Sequence, residues 1–229
     1  VSDAVSPPRA RQPIRAVIFD LDGTLLDSAP DIARALNAAL DAVRRAPLSH
    51  DTVVRLIGGG SRALVARALG GDADTSLIDR THDEFLAAYS AAPVAASRLY
   101  DGAQDVLQNL TQRGLALALC TNKPENITFQ ILNAFGLRAH FSAIVAATPG
   151  GPLKPDREAI LAALRPLNVP PDLAAMVGDS RADIAAAHAA ACRSILLSHG
   201  YEIAPLTALG ADVIVERLQD VPAAILSLS

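Results

Sequence analysis

Two aspartates separated by one residue, Asp20 and Asp22, close the apolar run VIF at 17–19 and are followed by Gly23-Thr24. Asp is a poor strand former, and two carboxylates this close repel each other. Further polar signatures occur downstream: Thr121-Asn122-Lys123, Lys154 within LKPD, and Gly178-Asp179-Ser180 with Asp183 just beyond. Carboxylate oxygens with few other ligands suit a hard cation, Mg²⁺ above all. A lysine, a threonine hydroxyl and backbone N–H groups suit a phosphate dianion. Carboxylate, Mg²⁺ and phosphate together indicate phosphoryl transfer. In such chemistry one Asp can be the nucleophile and give an aspartyl-phosphate, and a nearby carboxylate can be the acid/base.

These residues act together only if the fold converges them. Short apolar runs at 14–19, 115–120, 141–147, 173–178, 193–198 and 212–215 predict strands. Between and after them, 104–112, 125–135, 156–167, 181–191, 203–209 and 218–226 predict helices. This alternation predicts βαβ units on a parallel sheet, and near-continuous apolar strands imply helices on both faces. Ligands of such sheets bind beyond the carboxyl ends of the strands, where these signatures fall. Between 28 and 100 no strand-like run appears. Helical patterns cover 51–57, 61–69 and 77–90, and a further helix starts after Ser28, read as its N-cap. The chain therefore divides into a leader at 1–13 expected to be disordered, an α/β core at 14–28 and 97–229, and an all-helical cap at 29–96.

The composition limits the partners. The 229 residues carry a net charge of -4 with no basic patch, which argues against nucleic acid. No apolar stretch approaches the ~20 residues of a membrane helix. Cys120 and Cys192 provide neither a disulfide framework nor zinc spacing and read as buried reduced thiols, so a cytoplasmic protein is expected. Aromatic residues make up only 3%, which implies an aliphatic core. The five histidines are scattered, without metal-type spacing.

Taken in order, DLDGTLLDS, TNKP, LKPD and GDSRADI resemble the haloacid dehalogenase superfamily across essentially all of 14–229. LYDGAQDVL, MVGDSRADIAAAHAA and SHGY look most like its phosphoglycolate phosphatases. The resemblance implies a Rossmann-like core with an inserted helical cap. It implies that Asp20 is the nucleophile and a Mg²⁺ ligand. Asp22 would be the acid/base, binding the metal through its carbonyl. Thr121 and the Asn122 N–H would hold the phosphate, Lys154 would offset its charge, Asp179 would ligate Mg²⁺, and Asp183 would stand behind the ligands. In the cap, Gly59, Ser61 and Arg62 are the candidates for touching substrate, and a plain helix break at Gly58–Gly60 remains the alternative. Lys123 reads equally as a solvated lysine or as a contact to cap or substrate, and Asp27 as a hinge or capping residue. One departure is Ala191-Cys192 where relatives usually carry Ala-Gly, which removes an easy left-handed helix end.

The expected function is Mg²⁺-dependent hydrolysis of a small phosphomonoester, 2-phosphoglycolate first, by a monomer or homodimer. The rivals are a sugar-phosphate phosphatase and a phosphosugar mutase resembling β-phosphoglucomutase. The mutase would need a dedicated His and a Lys/Arg set in the cap, and no convincing copy appears at 29–96. A binding module that has lost the reaction is disfavoured by intact Asp20, Asp22, Lys154 and Asp179.

Overall fold

The computed structural model describes residues 12–71 and 73–228. The expected leader therefore lies outside the described residues, apart from Gln12 and Pro13, which are exposed. The core strands are β1 (Ala16–Phe19), β4 (Ala116–Pro124), β5 (Ala143–Ala147), β6 (Ala174–Gly178), β7 (Arg193–Leu197) and β8 (Val213–Val215). They form one six-stranded sheet in the order β5-β4-β1-β6-β7-β8. Every pairing is parallel, and Ala16 of β1 lies opposite both Ala116 and Ala174. The winding reverses beside β1, so a crevice opens at the carboxyl ends of β1, β4 and β6.

Alternation along the strands assigns each residue to a face. Val17, Phe19, Leu117, Leu119 and Val177 pack in one buried cluster with Val106, Leu107 and Leu110 of α5 (Ala103–Gln112). The intervening Ala16, Ile18, Ala118, Ala174 and Met176 pack on the other face against Ile160 and Ala163 of α7 (Arg157–Leu164) and Ala186 and Ala187 of α8 (Arg181–Ala189). β1 is wholly buried, as a central strand covered on both faces must be.

Four helices, α1 (Ala29–Ala42), α2 (His50–Leu56), α3 (Ser61–Leu69) and α4 (Thr75–Ala91), lie between β2 (Leu26–Asp27) and β3 (Arg98–Leu99). The expectation of no strand between 28 and 100 needs correction here. β2 and β3 pair antiparallel, Leu26 with Leu99 and Asp27 with Arg98, in segments too short for a period to show. A buried carboxylate joins entry to exit. Asp31 Oδ2 accepts from Ala96 N–H at 2.9 Å, Ser97 N–H at 2.8 Å and the Ser97 hydroxyl at 2.7 Å. Burial alone would raise this carboxyl, but those donors outweigh it and hold it below its usual range.

Ser28 occupies the N-cap of α1, yet its hydroxyl does not cap the helix. It donates to Asp22 Oδ1 at 2.5 Å. The Tyr201 hydroxyl instead accepts from the N–H groups of Ser28 and Ala29 at 2.8 and 3.0 Å and donates to Asp27 Oδ1 at 2.8 Å. The helix expected at 203–209 is only a 3₁₀ turn, Leu206–Leu209, because Pro205 disfavours helical backbone at Ala204 and delays the start. The helix expected at 156–167 keeps α geometry to Leu164 and tightens to 3₁₀ at Arg165–Leu167, where Pro166 lacks a donor. The left-handed helix end falls on Ala191 (φ 59°), not on Cys192. Left-handed geometry costs a non-glycine residue roughly 1–2 kcal/mol. Ala191→Gly is therefore expected to raise stability by about 1 kcal/mol, read as a higher midpoint in urea unfolding.

Candidate active site

Pairing of β1 with β6 puts the nucleophile candidate beside the metal-ligand candidate. Asp20 N–H donates to the Val177 carbonyl at 3.0 Å, which extends the ladder one residue beyond β1, and Asp179 follows β6 directly. Carboxylate oxygens of Asp20, Asp179 and Asp183 lie within 4.8 Å of one another, and all three residues are buried. Lys154 Nζ enters this group, 2.8 Å from Asp20 Oδ1 and 2.6 Å from Asp183 Oδ1. The contact to Asp20 is an ion pair without hydrogen-bond alignment, which leaves Oδ1 buried with no hydrogen-bond partner.

One ammonium cannot balance three carboxylates at this separation. Burial, with Asp183 and Asp22 adding to it, pushes the Asp20 carboxyl up to about 6 against the pull of Lys154. Burial, then Asp183 and Asp20, push Asp179 well above its ordinary value. Burial pulls Lys154 down, but Asp183 and Asp20 outweigh it and hold the ammonium above its usual range.

The donor set fits Mg²⁺: oxygen ligands only, and one oxygen with no hydrogen-bond partner. The chain is also built closely around Asp179. A Cβ at Gly200 would stand 2.1 Å from Asp179 Cβ, and one at Gly23 (φ 79°) would stand 2.4 Å from its Oδ2. Thr24 Oγ1 donates to Asp179 Oδ1 at 3.0 Å and Tyr201 N–H to Oδ2 at 2.8 Å. Asp183 is fixed by a capping box: Ser180 N–H and Oγ donate to Oδ2 at 3.0 and 2.7 Å. Gly200→Ala is expected to displace Asp179 and raise the Mg²⁺ concentration for half-maximal activity about tenfold or more, read by Mg²⁺ titration of turnover.

Asp22 faces the crevice from the other side. Lys123 Nζ donates to its Oδ1 at 2.8 Å and its Oδ2 at 3.0 Å, and the Ser28 hydroxyl donates to Oδ1. The third Lys123 bond reaches the Tyr89 hydroxyl on α4 at 2.5 Å. Lys123 is therefore a buried contact between the acid/base candidate and the helical insert. Thr121 is buried beside it, its hydroxyl accepting from Lys123 N–H at 3.3 Å. The Asn122 side chain aligns the lysine loop by two bonds with the Lys154 backbone, each 2.8 Å.

A cavity of about 580 Å³ joins these groups to the helical insert. Gly59 and Ser61 line it. The glycines at 58, 59 and 60 have φ of 109°, 75° and 89°, a backbone only glycine adopts without strain. The Ser61 hydroxyl is 2.7 Å from His82 Nε2. Arg62 is a correction: it turns away from the cavity and pairs with Asp79 at 2.8 Å on the half-exposed side of α3. Arg67 lines the cavity, donating to the carbonyls of Leu56, at 2.6 Å, and Gly58. Tyr89, Tyr201, Gly200 and Arg67 were not anticipated. Only SHGY, which contains two of them, carried a signal, as part of the resemblance.

The haloacid dehalogenase-like hydrolase model matches residues 14–191. A phosphoglycolate phosphatase of Rhodospirillum rubrum is 40% identical over 204 residues, 86% of this chain and 85% of that protein. One from Caulobacter vibrioides is 35% identical over 215 residues, 93% and 91% of the two chains. A solved structure from Haemophilus somnus 129PT, described as a predicted phosphoglycolate phosphatase, superposes with a TM-score of 0.84 at 29% identity, covering 94% of this chain and 99% of that one. CbbY of Rhodobacter sphaeroides, solved with phosphate, gives 0.80 at 27%, covering 93% and 99%.

Proposed function

The chain belongs to the haloacid dehalogenase-like hydrolases and is a phosphoric monoester hydrolase, and from that premise we propose that it hydrolyses small phosphomonoesters, 2-phosphoglycolate first, with Mg²⁺ and through an aspartyl-phosphate. The observation that carries this reading is the Asp20 carboxylate. It is buried at a strand end, has one oxygen without a hydrogen-bond partner, and stands in a cluster short of positive charge. An oxygen of Asp20 attacks phosphorus, and the ester oxygen departs as an alcohol with a proton from Asp22. Asp22 then takes a proton from the water that cleaves the aspartyl-phosphate. Thr121 and the Asn122 N–H hold phosphate oxygens, and Lys154 offsets charge between Asp20 and the phosphate. Asp20, Asp179 and the Asp22 carbonyl would hold Mg²⁺, with Asp183 behind them. The bound ion would offset the negative charge of phosphate and carboxylates. In this reading 29–96 is a cap over the 14–28 and 97–229 core, and it excludes bulk water during the reaction.

A second reading, a sugar-phosphate phosphatase, draws on the cavity of about 580 Å³, which has room for more than a two-carbon acid, and on the likeness to CbbY, a mutant of which was solved with xylulose 1,5-bisphosphate. A kcat/KM panel with Mg²⁺ separates the two. Phosphoglycolate leading supports the first reading, and a pentose or hexose phosphate leading replaces it with the second. Isomerisation of glucose 1-phosphate with a bisphosphate primer would make the protein a mutase and overturn both.

A further inference from the structure

We propose that Lys123 is the carboxylate receptor of this site, selecting phosphate esters that carry a carboxylate one carbon away from the ester oxygen. The inference rests on the substrate reading above. An ammonium has three N–H donors, and here all three are assigned: two to Asp22 and one to the Tyr89 hydroxyl. The Asp22 carboxylate, which faces the crevice, is thus held there by a cation.

The ester oxygen of a bound substrate must come within a hydrogen bond of Asp22. In a 2-phosphooxy acid the carboxylate then lies about 3 Å further on, one hydrogen-bond length. Lys123 Nζ is 2.8 and 3.0 Å from the two Asp22 oxygens, so a carboxylate on the Lys123 side of the ester oxygen comes within its reach. The incoming carboxylate takes over one of the two bonds now made to Asp22. The exchange keeps every ammonium donor satisfied and frees one Asp22 oxygen to carry the proton that the ester oxygen takes. Tyr89 keeps the third donor and fixes the ammonium from the cap side. An ester without the carboxylate leaves Lys123 on Asp22 and gains nothing from it.

Lys123 differs from the other cations in being bonded to Asp22: Lys154 pairs with Asp20 and Asp183, Arg67 donates to the carbonyls of Leu56 and Gly58, Arg62 pairs with Asp79, and Arg181 with Glu202. Arg55, which also lines the cavity, is exposed.

The test compares phosphoglycolate with ethyl phosphate, which has a methyl group in place of the carboxylate, in wild type, Lys123→Met and Tyr89→Phe. Wild type is expected to prefer phosphoglycolate in kcat/KM, and Lys123→Met, which strips Asp22 of its ammonium for both esters, to lose about 100-fold more on phosphoglycolate than on ethyl phosphate. Tyr89→Phe, which keeps the ring and the charge, is expected to raise KM for phosphoglycolate several-fold more than KM for ethyl phosphate. Equal losses on both esters in Lys123→Met, or a retained preference, would overturn the inference and leave the phosphoglycolate reading standing. If Lys123→Met does not fold, equal effects on both esters in Tyr89→Phe overturn it. No preference in wild type would remove the substrate reading itself, and this inference with it.

Discussion

Asp20→Asn abolishes p-nitrophenyl phosphate hydrolysis, with a loss of about ten-thousand-fold or more, while the fold survives. The loss is large because an amide oxygen is a far weaker nucleophile than a carboxylate, and no neighbouring group can replace it. Asp22 is engaged by Lys123 and Ser28, and Asp183 by Lys154 and Ser180. The fold survives because Asn has the same shape and removes a charge that burial disfavours, as the rise of the Asp20 carboxyl to about 6 shows. Lys154 keeps its 2.6 Å bond to Asp183. The metal-free variant should melt at or above the wild-type temperature by circular dichroism. Full activity in a folded variant would exclude Asp20 as the nucleophile.

Lys154→Met should lose activity to a similar degree and, unlike Asp20→Asn, should also destabilise the metal-free protein. It leaves Asp20, Asp179 and Asp183 within 4.8 Å of one another with no compensating ammonium. Breaking a buried ion pair from one side costs about 3–5 kcal/mol. Because cation binding to the folded state stabilises it by mass action, Mg²⁺ should raise the melting temperature more in the variant than in wild type. Turnover should stay low even so, since the phosphate has lost its ammonium. A thermal melt with and without Mg²⁺ checks this. An unchanged metal-free melting temperature would show that Lys154 does not offset the charge of the three carboxylates.

The core was legible because its signals are local. Apolar runs such as VIF at 17–19 mark buried strands wherever they occur, and the polar residues that end them sit where ligands bind α/β sheets. The helical insert followed from 3.6-residue spacing, but the two-residue β2–β3 pair that brackets it has no period to read. What remained hidden is long-range and polar. Ser28 looks like an N-cap by its neighbours, yet a tyrosine 173 residues away caps the helix and leaves its hydroxyl to Asp22. Lys123 meets Tyr89 only because the fold brings α4 back to the end of β4, and spacing along the chain carries no trace of that. Arg62 and Arg67 are equally cationic on the same helix. Pairing with Asp79 of α4 turns Arg62 outward, and the Gly58 carbonyl draws Arg67 inward.

The central claim is that phosphate passes through Asp20. In Asp22→Ala the proton acceptor for the second half-reaction is missing, while p-nitrophenolate leaves without needing a proton donor. Mixed rapidly with p-nitrophenyl phosphate and Mg²⁺, that variant should release one nitrophenolate per site in a burst and then stall. Acid quenching, borohydride reduction and peptide mass spectrometry should find homoserine at position 20. A burst with the phosphate on any other residue, or steady turnover with no burst and no modification at Asp20, would contradict the account.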